Sequence, residues 1–132
     1  MTEAETSDLI EHASPLPFEA TLERLAQAIE KAGLTIFARI DHAANAREAG
    51  LTMPAATVLI YGAAKGGTPI MLATPLAALD LPLRVLVRAR EDGGASIAFH
   101  PVAAMLQRAG VSPDLAARLE PAQRLLLSAL AP

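Results

Sequence analysis

The chain has 132 residues, a net charge of -3, 3% aromatic residues and no cysteine. That length suits one domain whose folding buries roughly two-thirds of its unfolded surface, enough for a core without covalent staples. Disulfides, thiolate metal sites and thiol nucleophiles are excluded, and mild acidity with few aromatics gives no case for nucleic acid or an anionic membrane as partner. Residues 1–7 (Met1 to Ser7) are polar and acidic, without the basic start and apolar stretch of a signal peptide, and read as a disordered tail. Residues 8–132 read as a single domain. No uncharged apolar run approaches a membrane span, so the expected setting is the cytoplasm.

Residues 8–13 read as a short strand, and Ser14-Pro15-Leu16-Pro17 breaks it. Pro17 is tolerated in the first turn of the helix that follows. Phe18, Leu22, Leu25 and Ile29 recur there at helical spacing, Glu19, Glu23, Arg24 and Lys31 fall outside the stripe, and Gly33 is a natural C-terminal cap. Leu34 to Ile40 reads as a strand with Leu34, Ile36, Ala38 and Ile40 on one face. Asp41-His42 opens an Ala-rich helix that Gly50 ends, and Ala56 to Tyr61 is a second apolar strand.

Gly62 to Pro69 reads as a loop, with Thr68 as N-cap and Pro69 as first residue of a short helix over 70–73. Asp80-Leu81-Pro82 delivers the chain to a strand over 83–90. Glu91-Asp92-Gly93-Gly94 turns a hairpin into Ala95 to His100. Helices follow at about 101–109 and 113–130, with Pro121 breaking or kinking the last. The order implies an α+β domain: a mixed β-sheet with helices packed mainly on one face. The alternation groups Phe37, Leu59, Tyr61 and Leu86 with Thr35, Arg39, Thr57, Arg84 and Arg88 on the other face. A face so rich in apolar residues calls for a cover, and a second copy of the chain, making a homodimer, is the simplest.

In order and rough spacing, Phe18, Thr21, Leu25, Gly33, Phe37, Ile40-Asp41-His42, Gly62, Lys65, Thr68-Pro69 and Leu79 to Leu83 resemble the domain of unknown function 302 family of small bacterial and archaeal proteins. The resemblance runs from about residue 8 to 110 and implies a compact α+β dimer without naming a substrate. This chain departs from the family where Ala63-Ala64 replace Asn-Pro. It departs again where Arg88-Ala89-Arg90 stand in place of an aromatic and acids.

Two stretches carry chemistry. Asp41 beside His42 at a strand end supplies an acid and a base, or two ligands for a metal; equally, Asp41 caps the helix behind it. No third ligand is readable, so no metal is expected. Gly62, Lys65, Gly66, Gly67 and Thr68 supply flexible backbone N–H groups, a positive charge and a helix start, the ingredients of an anion cradle. The spacing is that of neither a Walker loop nor a dinucleotide fingerprint, and a plain connector is the competing reading. Tyr61 reads as an interface residue. The leading expectation is a dimeric binding module for a small anionic molecule. A small enzyme using Asp41 and His42 in acid–base or metal-assisted chemistry, and a protein-interaction or structural module, stand as alternatives; no cofactor is indicated.

Overall fold

The computed structural model describes residues 8–132, so the tail expected over 1–7 lies outside the described residues. Helix α1 (Phe18–Lys31) forms as its pattern requires, with Leu22, Leu25 and Ile29 buried and Phe18 half-buried. Pro17 stands at the N-cap, one position ahead of the expected first turn, where its carbonyl accepts the Thr21 N–H at 2.9 Å. At the other end Gly33 takes a φ of 84°, and this left-handed step returns the Leu34 N–H to the Ile29 carbonyl at 3.1 Å.

Five strands, β1 (Ile10–Ser14), β2 (Thr35–Asp41), β3 (Ala56–Gly62), β4 (Leu83–Ala89) and β5 (Ala95–Phe99), lie in the order β1-β5-β4-β3-β2. Each neighbouring pair is antiparallel, so the sheet is not mixed as expected. The helical connectors explain the difference. Helix α2 (His42–Glu48) joins β2 to β3, while α3 (Ala64–Ala73) and a 3-10 helix (Pro75–Asp80) join β3 to β4. Each connector leaves and rejoins the sheet at the same end, making it an excursion and not a crossover. Helices α4 (Val102–Arg108), α5 (Pro113–Ala117) and α6 (Glu120–Ala129) complete the chain. The expected break near Pro121 falls at Arg118-Leu119, with Pro121 accommodated in the first turn of α6.

The fold is thus α+β, and one phase of the sheet joins the helices in the core. Leu59, Tyr61, Leu83, Val85, Val87 and Ile97 meet Leu25, Ile29, Ile70, Leu106 and Leu126 there. This corrects the face assignment. Leu59 pairs with Val85 and Tyr61 with Leu83, so both belong to the helix-covered face, and Tyr61 is a core residue and not an interface one. Leu86 is opposite Val58 and Arg84 opposite Ile60, on the other face.

A bulge divides β2 as well. Ile36 pairs with Tyr61 and Ala38 with Ile60, leaving Phe37 unpaired between them. Ile36 therefore shares the core side while Ala38 and Ile40 share the opposite side, so the single face expected for Leu34 to Ile40 is broken. Arg39, opposite Leu59, reaches Glu23 of α1 at 3.6 Å. The face away from the core carries part-exposed Ile40, Val58, Ile60 and Leu86, flanked by exposed Arg84 and by Arg88, which meets Glu11 at 2.9 Å.

Helix α3 is the largest departure from the sequence reading. It starts at Ala64, encloses Gly66, Gly67 and Pro69, and has no side-chain cap. Thr68 is therefore a mid-helix residue and not the expected N-cap. Ile70, fully buried, anchors the helix, and tertiary burial outweighs the poor helix propensity of two glycines and a proline. Gly66 also allows close approach, because a Cβ there would stand 3.2 Å from the Leu119 Cδ2. On the outer side Leu72, Leu76 and Leu79 are 79%, 80% and 83% exposed.

The Tyr61 hydroxyl donates to the Ala122 carbonyl at 2.8 Å, joining β3 to α6, and burial pushes its pKa up. Gln123 makes a second tie, accepting from the Val102 N–H and donating to the His100 carbonyl, both at 2.8 Å.

Leu25→Ala should lower unfolding free energy by about 2–5 kcal/mol, the usual range for truncating a fully buried leucine. An unchanged denaturant midpoint would remove α1 from the core. Tyr61→Phe removes the hydrogen bond to the Ala122 carbonyl and should cost about 0.5–1.5 kcal/mol near neutral pH. A raised folded-state pKa means that stability is full below the unfolded tyrosine value, about 10, and is lost as pH climbs above it. Denaturation followed from about pH 8 to about pH 11 should therefore show the wild type losing stability that the Phe variant, with no hydroxyl to ionise, retains.

Candidate functional site

A cleft of about 680 Å³ opens at the sheet end that carries Thr35, Gly62 and Leu83. One wall is the start of α3: Ala64, Gly67, Thr68 and Met71, spaced i, i+3, i+4 and i+7, put one helical face along the cavity. The strand ends supply Leu34, Phe37, Gly62 and Leu83, together with the cis Leu81-Pro82 peptide. A further wall is the break between α5 and α6, with Arg118, Leu119, Pro121, Ala122 and Leu125, and Leu119 lies close against Gly66 of α3. Tyr61 holds that wall in place through Ala122.

The lining is almost wholly apolar. Among the described residues that line it, Arg118 is the single charged side chain and Thr68 the single side chain with a hydroxyl. Arg118 is exposed and, like Arg24, Arg47 and Arg84, forms no ion pair among the described residues, whereas Arg39, Arg88, Arg90, Arg108 and Arg124 each have a carboxylate partner. The uncapped first turn of α3 borders the same space. The Gly66 N–H there already bonds the Ala63 carbonyl, while the remaining first-turn N–H groups and the helix dipole favour negative charge nearby. The cleft can therefore desolvate an apolar body while a cation and a positive helix end stand at its edge.

Four of the residues singled out in the sequence come together here: Gly62, Gly66, Gly67 and Thr68. The glycines act differently from a loop cradle, since the Gly66 and Gly67 N–H groups are both spent on the Ala63 carbonyl at 3.0 Å. Lys65 is exposed and does not line the cleft. Asp41 and His42 are at the other end of the sheet. Asp41 pairs with Thr57 while Thr35 pairs with Gly62, a separation of five strand steps or about 17 Å. Asp41 Oδ1 accepts the Ala44 N–H at 2.9 Å, the capping role, and His42 is an exposed first residue of α2.

Arg118, Leu119, Ala122 and Leu125 were not legible as site residues. They follow the glycine segment by some fifty positions, and nothing local marks them. Leu81-Pro82 did carry a signal, as part of the stretch quoted for the family resemblance.

Comparison with known proteins places this arrangement in context. The chain is 40% identical over 77 residues to the Fluoride-specific ion channel FluC 1 of Brucella suis biovar 1 (strain 1330), covering 58% of this chain and 30% of that protein. A FluC 1 of Brucella abortus matches at the same identity over 28% of its length. The chain thus spans under a third of the curated relatives it matches. Among solved structures it resembles an uncharacterized conserved DUF302 protein from Bacillus stearothermophilus. The TM-score is 0.79 at 15% identity, covering 93% of this chain and 95% of that one. That likeness establishes the shared fold. The model of the domain of unknown function DUF302 matches residues 10–131, nearly the whole described chain, and the protein belongs to that family.

Proposed function

We propose that the domain is a binding module for a small anionic molecule whose body is largely apolar, held in the cleft between α3 and the α5–α6 break. The observation that carries this reading is a 680 Å³ apolar cavity with Arg118 as its one charged lining residue. A cavity of that size, with few placed polar groups, is typical of small-molecule sites. Arg118 takes over the cationic role that the sequence pattern gave to Lys65. Asp41 and His42, some 17 Å away by strand spacing, stand outside this site, and no observation favours acid–base chemistry for them. The proposed setting is the cytoplasm, on the ground that a chain without cysteine suits a reducing compartment.

A second reading has its own support. The relatives named as fluoride-specific ion channels contain this kind of segment as less than a third of their length. Among the described residues no helix is long and apolar enough to cross a membrane. Together with the exposed Leu72, Leu76 and Leu79, this favours a module that docks on another domain or protein.

The two readings separate in a thermal-shift panel. A ligand that binds only the folded state raises its melting temperature by mass action. Benzoate or decanoate should raise it, Arg118→Ala should weaken that rise, and Thr68→Trp, which fills the cleft, should abolish it. Lys65→Ala should leave it unchanged. Flat curves across carboxylates, phosphates and nucleotides would end the ligand reading and put the docking reading first.

We also propose that the domain is a homodimer joined through the sheet face carrying Ile40, Val58, Ile60 and Leu86. What supports this is a cluster of part-exposed aliphatic side chains over three adjacent strands. Light scattering should give twice the chain mass. Leu86→Glu should dissociate or aggregate the dimer, since it places an unpaired charge in the contact. A monomer at all concentrations would refute this arrangement.

A further inference from the structure

We propose that Phe37 is the specificity-determining residue of the cleft and that the ligand it selects carries a flat, ring-bearing body beside its anionic end. This rests on the small-molecule reading above and deepens it.

The bulge is the first ground. Direct alternation from Ile36, which faces the core opposite Tyr61, would send Phe37 to the far side of the sheet. The register shift between Ile36 and Ala38 leaves Phe37 without a partner on β3 and brings it to the cleft lining. Bulges re-aim side chains in this way, often beside functional sites. The shift also divides β2 between two faces, so its effect on this side chain is large.

Exposure is the second ground. Phe37 is 54% exposed although it borders a large apolar cavity. The other two phenylalanines are drawn into the core, Phe99 at 5% exposure and Phe18 half-buried against it. A ring left half in water at a cavity mouth is covered once an apolar occupant fills the space behind it.

The third ground is the shape of the neighbouring walls. Gly62, Ala63, Ala64 and Gly67 present little or no side chain, and Phe37 is the one aromatic residue of the lining. Small residues leave room for a flat group, and an aromatic ring at the edge offers it offset or edge-to-face contact. An aliphatic chain gains area burial from the same ring but not that directional contribution. With Arg118 as the one charged residue of the lining, the fitting class is an aromatic or polycyclic monoanion, such as a ring carboxylate or sulfonate.

The test uses the intact chain with two probes, 2-naphthoate and decanoate, titrated by calorimetry into wild type, Phe37→Leu and Phe37→Trp. Leucine keeps an apolar side chain and removes the ring. Wild type should bind 2-naphthoate more tightly than decanoate. Phe37→Leu should weaken 2-naphthoate by about 2- to 10-fold and leave decanoate nearly unchanged, and Phe37→Trp should restore the preference. Melting temperatures should stay close to wild type, because the side chain is half-exposed. Equal weakening of both probes, or of neither, would overturn the role given to Phe37. A wild type that prefers decanoate would overturn the ring-bearing class while leaving the cleft reading in place. Binding of neither probe would overturn both.

Discussion

The hydrogen bond from the Tyr61 hydroxyl to the Ala122 carbonyl is the constraint that ties the end of β3 to the cleft wall formed by α6. Tyr61 lies at the end of β3, fully buried between β2 and β4, with Ile36 and Leu83 as its cross-strand neighbours. Its ring contributes to the core, and its hydroxyl reaches the first turn of α6. A buried hydroxyl needs a partner, and the half-buried Ala122 carbonyl supplies it, tying α6 to the end of β3.

Around that tie, the cleft is built from elements that are each weak alone. Helix α3 contains two glycines and a proline, and Ile70 is its buried anchor. The α5–α6 break closes against it through Leu119, near enough that Gly66 has no room for a side chain without movement of that leucine. The result is an apolar space whose electrostatics come from two sources at its edge, the Arg118 guanidinium and the uncapped turn of α3. Arg118 also lacks a carboxylate partner among the described residues. Lys65 and the Asp41-His42 pair, the most conspicuous polar groups in the sequence, are kept from the cleft, Lys65 by its exposed place on α3 and the pair by the strand register.

The sheet shows how a single register decides surface chemistry. Residues 56 to 61 are apolar at nearly every position, so alternation gives no sign of which side is inward. Pairing Leu59 with Val85 settles it: Leu59 and Tyr61 enter the core, and Val58 and Ile60 join Leu86 outside. In β2 the bulge at Phe37 breaks the alternation, so no fixed period assigns both halves of the strand correctly.

The sequence by itself determined whatever rests on neighbours along the chain. Helix α1 follows from its 3.6-residue apolar stripe and the left-handed glycine behind it, the hairpin from Asp92-Gly93, the cap on α2 from Asp41, and the α+β class from the order of elements. The family resemblance was legible for the same reason, being a set of residues in fixed order. Tertiary structure alone decided the rest. Antiparallel pairing throughout, the start of α3 at Ala64, the inward turn of Tyr61 and the meeting of Phe37, Thr68 and Arg118 around one cavity all depend on groups far apart in the chain. Such contacts are chosen by burial and register. These are properties of the assembled core, which neither local propensity nor residue spacing encodes.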